Sequence, residues 1–296
     1  AIIISHPRLQ YNQVHLIIQI SLPKMRKYFM HQQLQLNINK IDYQFPFYIH
    51  REGDNHVSKT LREHGIWEAY ETQLFLACLQ DGAKVLDIGA NIGYYSVLAS
   101  LYLGGTGQVL AYEPNPENFA LLEKNRAINN CTNVQAFQLA LSNIDEEGFL
   151  YLSADNFGDH QIYDNNRDRH KQQISLVNGD AHTKQFLHKV NLIKIDTQGA
   201  EWQVLQGINQ LIKSSLPQLQ MIIEFSPNSL RLAGSEPDEL LQYIFDLKLP
   251  IAMIDHMGHQ LIATSFAEMK AWSDATKPDI NDLGFFNLFV GTPPLL

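Results

Sequence analysis

The sequence lacks several features that mark whole classes of protein. It has two cysteines in 296 residues, Cys78 and Cys131, too few for a disulfide framework and without metal-ligand spacing. No apolar run approaches the roughly 18 residues that span a bilayer. The opening stretch AIIISHPRLQ shows no cleavage-site pattern, so no signal peptide is predicted. We therefore expect a cytoplasmic protein that does not bind membranes.

Basic residues are also scarce. Lys and Arg number 22 against 31 Asp and Glu, which gives a formal net charge of −9. An acidic chain repels phosphate backbones and anionic lipid, and the densest basic stretches, KMRK at 24–27 and NNRDRHK at 165–171, are short. We therefore expect a small-molecule or glycan partner and no nucleic acid. The oligomeric state cannot be inferred from these numbers.

What the sequence does have is a regular alternation of strand and helix patterns from residue 83 onward. Short apolar stretches such as AKVLDIGA, QVLAYEP, VQAFQLALS, VNLIKIDT and LQMIIEFSP alternate with helical spacing. This order predicts an α/β fold, with a mostly parallel sheet covered by helices on both faces and an antiparallel hairpin at the C-terminal edge. Residues 1–82 are predicted as an N-terminal extension, with a helix near 22–34 and a possible β-hairpin at 34–50. Residues 83–296 are predicted as the main domain.

The stretch VLDIGANIGYYS at 85–96 ends a strand where open α/β sheets bind ligands. A dinucleotide-binding loop would have its first glycine at the position of Asp87. A carboxylate there repels a pyrophosphate and suits a ligand with an ammonium or sulfonium group. Glu113 ends the next strand, where an acid accepts hydrogen bonds from ribose hydroxyls. The alternative is that Asp87 only caps the helix and Glu113 is a solvated strand end.

Together with AYEPNPENFALLEKN, ALSN, NLIKIDTQGAEWQVLQG and IIEFSPNSL, this stretch resembles the FkbM family of methyltransferases over about residues 83–228. The resemblance implies a Rossmann-like class I methyltransferase fold with a seven-stranded sheet, S-adenosylmethionine as cofactor, and O-methylation of a small molecule or glycan. It places the methionine moiety at the glycine loop, the ribose at Glu113 and the adenine beside Leu141 and Ser142. The cofactor-binding residues so implied are Asp87, Gly89, Ala90, Asn91, Gly93, Glu113, Pro114, Leu141 and Ser142.

Methyl transfer to a hydroxyl needs alignment and help in removing a proton, not a protein nucleophile. Asp196 ends the strand NLIKIDT, and Glu224 ends QMIIEF at the same edge. We predict Asp196, Glu224 and the loop histidine His160 as catalytic residues. Alternatively, Asp196 only neutralises Lys194 on the same side of its strand. The two acids could hold Mg²⁺, but no third ligand is evident, so no metal site is predicted.

Two other functions remain open from the sequence. One is a nicotinamide-dependent oxidoreductase on a Rossmann sheet, which would have to tolerate Asp87 in its phosphate loop. The other is a degenerate fold retained as a non-catalytic binding module. The intact acids and glycines favour an enzyme over the second alternative.

Overall fold

The computed structural model describes residues 29–38, 41–164, 168–276 and 284–295. The strands are β1 (Phe29–Ile38), β2 (Ile41–His50), β3 (Lys84–Ile88), β4 (Gln108–Tyr112), β5 (Val134–Phe137), β6 (Ala140–Ser142), β7 (Glu146–Leu152), β8 (His170–Asn178), β9 (Leu192–Ile195), β10 (Gln220–Phe225), β11 (Ile251–Asp255), β12 (Gln260–Ala263) and β13 (Phe286–Val290). The helices are α1 (Val57–His64), α2 (Ala69–Ala77), α3 (Tyr94–Leu103), α4 (Pro116–Ile128), α5 (Gly179–Thr183), α6 (Glu201–Gly207), α7 (Asn209–Ser215), α8 (Pro227–Leu232), α9 (Pro237–Asp246) and α10 (Phe266–Ala275). None of these described helices is long and apolar enough to cross a membrane.

The central sheet has the strand order β12-β11-β13-β10-β9-β3-β4-β5. The pairs from β5 through β10 are parallel, whereas β13 runs antiparallel to β10 and β11. The predicted Rossmann-like class I methyltransferase fold is confirmed: seven strands form the mostly parallel sheet, and β12 continues its edge as the second strand of the predicted C-terminal hairpin.

The topology reverses beside β3. From β3 the chain builds outward through β4 and β5, and it later returns to place β9 against the other side of β3. The strands β3 and β9 are almost wholly buried: most of their side chains are apolar, and the charged residues Asp87 and Lys194 lie opposite each other among them. A crevice therefore opens at the carboxyl ends of β3 and β9, which is where sheets of this type bind ligands.

The hairpin predicted at 34–50 is present and begins earlier, at Phe29. The part of the predicted 22–34 helix before Phe29 lies outside the described residues, and its last part is strand β1. Asn125 of α4 fixes the hairpin by accepting a hydrogen bond from the N–H of Tyr48 at 2.6 Å and donating one to its carbonyl at 2.9 Å. Phe45 and Phe47 belong to the same hydrophobic cluster as residues of β3 and α3, so the core crosses the predicted boundary at 82/83.

The prediction of one strand over VQAFQLALS was wrong. Gln138 and Leu139 separate β5, an edge strand of the central sheet, from β6, which pairs with β8 in a separate sheet of order β6-β8-β7. Alternation of side chains cannot show this change of sheet, because both short strands have compatible patterns. The consequence for the site is that β6 brings Leu141 and Ser142 over the crevice.

Candidate functional site

A cavity of about 330 Å³ lies at the carboxyl ends of β3, β4, β9 and β10. Ten of the predicted site residues line it: Gly89, Ala90, Asn91, Glu113, Pro114, Leu141, Ser142, His160, Asp196 and Glu224. The structure thus brings together residues from 89 to 224. Asp87 and Gly93 are not among the lining residues.

The two glycines of the loop have different structural tasks. Gly89 has φ of +79°, and a Cβ there would collide with the backbone carbonyl oxygen of Asp196. Gly93 has φ of +85°, and a Cβ there would come within 3.0 Å of the Leu122 side chain. Gly89 therefore lets the ends of β3 and β9 approach each other, and Gly93 lets α3 pack on α4.

Asp87 is buried beneath the cavity wall. Its carboxylate accepts a hydrogen bond from the Ser96 hydroxyl at 2.6 Å, and it lies opposite Lys194 in the strand register. Burial raises the pKa of the Asp87 carboxyl above its usual value. Its hydrogen bond ties β3 to helix α3. A direct contact of Asp87 with the cofactor stays a prediction, and the charge that the cavity presents comes from other side chains.

Glu113 lines the cavity, and its carboxylate is held by the backbone. One oxygen accepts the N–H of Asn91 at 2.9 Å, and the other accepts the N–H of Asn115 at 2.8 Å. Burial raises the pKa of Glu113 to about 7 although these hydrogen bonds favour the ionised form. Each carboxylate oxygen has a further lone pair, so the group can also accept hydrogen bonds from a pair of neighbouring hydroxyls.

An apolar wall faces Glu113 across the cavity. Leu141 comes from β6, and Leu150 and Leu176 come from β7 and β8 of the small sheet. The carbonyl of Phe157 accepts hydrogen bonds from the Asn91 side chain at 3.2 Å and the Asn118 side chain at 3.0 Å. The 150s segment is thereby fastened across the glycine loop, and the space beneath suits a flat apolar ring such as adenine.

His160 lies in this segment. Its Nδ1 accepts the backbone N–H of Ser153 at 3.1 Å, and burial lowers its pKa to about 4. A neutral imidazole whose Nδ1 accepts a hydrogen bond has its proton on Nε2. To take a proton from a substrate, His160 would first have to break its bond to Ser153. Its role as a base stays a prediction that this geometry disfavours.

At the ends of β9 and β10, four side chains form a connected group: Lys194, Asp196, Gln198 and Glu224. Lys194 forms an ion pair with Asp196 at 3.2 Å. The Gln198 amide donates to Asp196 at 2.8 Å and to Glu224 at 3.0 Å. Burial first, and then the charge of Asp196, raises the pKa of Glu224 well above its usual value. Asp196 therefore forms the predicted ion pair with Lys194 and also lines the cavity.

Sequence reasoning missed several residues of the cavity wall. Gln198, Glu68, Trp67 and Phe285 all line the cavity. Gln198 follows a strand end by two residues, has φ of +53° and could have been found as a polar residue of the same loop as Asp196. No local pattern places the other three, because they reach the site through the packing of α2 and β13 on the sheet.

The charges on the cavity wall decide which ligands fit. Four acidic residues line the described part of the cavity: Glu68, Glu113, Asp196 and Glu224. One lysine, Lys194, lines it as well, and it is already paired with Asp196. Such a wall repels a diphosphate and attracts a cation. The residues present fit a nucleoside with a sulfonium group and no phosphate: Glu113 for the ribose, the Leu141 wall for the adenine and the carboxylates for the positive charge.

Comparison with known proteins agrees with this chemistry. Residues 87–251 match the family model described as the methyltransferase FkbM domain. The chain is 26% identical over 155 residues to Methyltransferase 1 of Beauveria bassiana, covering 45% of this chain and 61% of that protein. It is 27% identical over 169 residues to Methyltransferase sdnD of Sordaria araneosa, covering 46% and 64%. The matches thus span less than two thirds of either relative.

Among solved structures, fibrillarin of Aeropyrum pernix, described as natively bound to S-adenosyl-L-methionine, has a TM-score of 0.42 at 10% identity, covering 87% of this chain and 82% of its own. The assignment rests on the family match, which extends over more than half of the 296 residues. The chain therefore belongs to the FkbM family of S-adenosylmethionine-dependent methyltransferases.

Proposed function

We propose that this protein is a catalytically active methyltransferase that methylates a hydroxyl group of a small molecule or glycan. The observation that supports this most is the pairing of Asp196 and Glu224 on one side of the cavity, linked through the two hydrogen bonds of Gln198. A hydroxyl needs a positioned side chain to orient it and accept its proton, and carboxylates can do both. Membership of a methyltransferase family sets aside the oxidoreductase alternative.

In this proposal one side of the cavity binds the cofactor. Glu113 accepts the ribose hydroxyls, the wall around Leu141 packs on the adenine, and the backbone at Ala90 and Asn91 contacts the methionine moiety. The bound cofactor supplies an electrophilic methyl group on a sulfonium. The segment around Phe157 excludes water from this side because its carbonyl is bonded to Asn91 and Asn118.

The other side orients the acceptor. Asp196 is the more exposed member of its ion pair, with 30% of its side chain accessible against 4% for Lys194. We assign Asp196 to orient the acceptor hydroxyl. The raised pKa of Glu224 brings it closer to the operating pH, which suits a group that accepts the released proton. Lys194 holds Asp196 in place through their ion pair at 3.2 Å.

The Asp196→Asn variant tests this assignment. The amide keeps the shape but removes the negative charge that orients the acceptor hydroxyl, so turnover should fall by about 10²-fold, the cost of a misplaced reacting group. Affinity for S-adenosylhomocysteine should stay unchanged, because Glu113 and Leu141 are untouched. Asp246→Asn, on an exposed helix end, is the matched control and should retain full turnover. Normal turnover of Asp196→Asn would reduce Asp196 to a structural partner of Lys194.

The acceptor class needs its own experiment. Phenols, sugars, oligosaccharides and amines would be incubated with a donor carrying a labelled methyl group, and the products identified by mass spectrometry. The proposal expects label on oxygen of a small molecule or glycan; label on nitrogen, carbon or nucleic acid alone would refute it.

A cytoplasmic location is part of the proposal and is supported by the two buried free thiols, Cys78 and Cys131.

A further inference from the structure

A second group of chemically competent side chains lies next to the cavity. Glu68, Glu71 and His256 each point a ligand atom to one place, and these atoms lie within 4.8 Å of one another. Among the residues that the structure describes, no other group of three His, Cys, Asp or Glu side chains meets this condition. They come from the start of α2 and from the turn after β11, so folding alone brings them together.

The surroundings of Glu71 also favour a bound cation. Glu71 is fully buried, and Asn287 of β13 donates a hydrogen bond to it at 2.5 Å. The side-chain oxygen of Asn287 has no hydrogen-bond partner among the described residues, although this residue is only 4% exposed. An orphaned buried oxygen is costly. Rotation of the Asn287 amide would present this oxygen to the site as a further ligand.

Acidic side chains outnumber lysines near Glu71, which also favours a bound cation. Lys194 lies 3.6 Å from Glu71, but its closer partner is Asp196 at 3.2 Å. Glu68 contacts the Tyr95 hydroxyl at 3.0 Å, and His256 lies 3.8 Å from Glu71. A buried carboxylate such as Glu71 needs a partner of opposite charge, and Lys194 is shared between Glu71 and the closer Asp196.

We propose that Glu68, Glu71 and His256 form a binding site for a first-row divalent cation. Two carboxylates and one imidazole suit Mn²⁺ or Zn²⁺ better than Mg²⁺, which prefers oxygen ligands. The Asn287 oxygen is the fourth protein donor available. The ion offsets the excess of carboxylates beside the methyl-transfer site, and Glu68, which also lines the cavity, connects the two.

Titration of the full chain with Mn²⁺, followed by electron paramagnetic resonance of the free ion, tests the proposal without any turnover. We expect saturation at one ion per chain and a rise in melting temperature with added Mn²⁺. His256→Ala and Glu68→Gln should each weaken binding at least tenfold. His259→Ala is the matched control, because His259 lies in the same turn, stacks on Tyr70 and is outside the group; it should bind as the wild type does.

Several results would overturn the proposal. These are the absence of Mn²⁺ binding up to millimolar concentration in the wild type, equal affinity in His256→Ala and the wild type, and equal loss in His259→Ala. Circular dichroism confirms that each variant is folded, and both altered ligands are partly exposed, which favours folding. S-adenosylhomocysteine binding is measured separately, so failure of the metal site and failure of the methyltransferase proposal are distinguishable.

Discussion

The two sides of the cavity hold their carboxylates in different ways. On the side proposed to bind the cofactor, Glu113 is fixed by backbone N–H groups of Asn91 and Asn115, which are 22 and two residues away. On the side proposed to bind the acceptor, Asp196 and Glu224 are fixed by the side chains of Lys194 and Gln198. Backbone groups are present whatever the sequence, whereas side-chain partners can be exchanged. The comparison suggests a constant cofactor half and an acceptor half that can change with its substrate.

The largest effect should come from a side chain that forces the ends of β3 and β9 apart. In Gly89→Ala, the new Cβ would collide with the carbonyl of Asp196 at a backbone φ of +79°. Forced backbone movement should lower the free energy of unfolding by about 3 kcal/mol or more and disturb both halves at once. Chemical denaturation measures this. Gly93→Ala would come no closer than 3.0 Å to Leu122 and should cost less; equal losses would show that the β3–β9 approach is unimportant.

The next effect isolates the cofactor side. Glu113→Ala removes a hydrogen-bonding charged group and should weaken S-adenosylhomocysteine binding by about 1.5–3 kcal/mol. Calorimetry gives the affinity. Asp196→Ala is the matched truncation on the other side and should leave this affinity nearly unchanged. If both variants lose affinity equally, the cavity does not divide into two functional halves.

The pH dependence of the cofactor side follows from the raised pKa of Glu113, about 7 instead of 4.5. Because the folded protein holds this proton more tightly than the unfolded chain, the ligand-free protein should lose stability as pH rises from about 4.5 through 7. The shift corresponds to up to about 3 kcal/mol. Denaturation at pH 5.5 and pH 8 should show that loss in the wild type and a smaller one in Glu113→Gln. Identical curves would mean that Glu113 is ionised throughout.

Cofactor affinity should show the opposite trend, since ribose hydroxyls bind an ionised carboxylate more strongly. Affinity of the wild type for S-adenosylhomocysteine should therefore rise between pH 6 and pH 8, by at most tenfold per pH unit below the pKa. The Glu113→Gln variant should be nearly flat over the same range. Calorimetric titration at three pH values would show whether the slope belongs to Glu113.

The smallest predicted effect concerns Gln198. Gln198→Ala removes both hydrogen bonds that link Asp196 with Glu224, and turnover should fall on the order of tenfold because a neutral hydrogen bond contributes about 1 kcal/mol. Cofactor affinity should remain. Gln198→Glu adds a third acid and should reduce turnover further. Steady-state kinetics with the identified acceptor would show whether side-chain support matters on this side.

The difference between the two sides of the cavity also explains how much of the site the sequence could predict. The loop from Asp87 to Gly93 and the acid at 113 lie on consecutive strand–helix units, so their meeting follows from the parallel topology alone. The same reasoning correctly put Asp196 and Glu224 at one edge. The contact of Asp87 with the ligand stays a prediction: the structure bonds this carboxylate to Ser96, and the acids that line the cavity are others.

What could not be predicted depends on contacts between distant segments. Asn287 meets Glu71 across 216 positions of the chain, and Glu68 reaches the cavity only because α2 packs beside the sheet. Trp67 packs against the hydrophobic core and also lines the cavity. Strand and helix periodicity reports which face of an element is buried but not which element it is buried against. The acceptor side is built largely from such contacts.

The central claim is that an acidic wall makes this cavity a site for a cationic nucleoside without phosphate. Calorimetric titration of the wild-type protein with S-adenosylmethionine and with NAD, in the same low-salt buffer, tests it most directly. The account predicts saturable binding of S-adenosylmethionine and no measurable heat from NAD. Binding of NAD with equal or higher affinity, retained in Glu113→Ala, would contradict it.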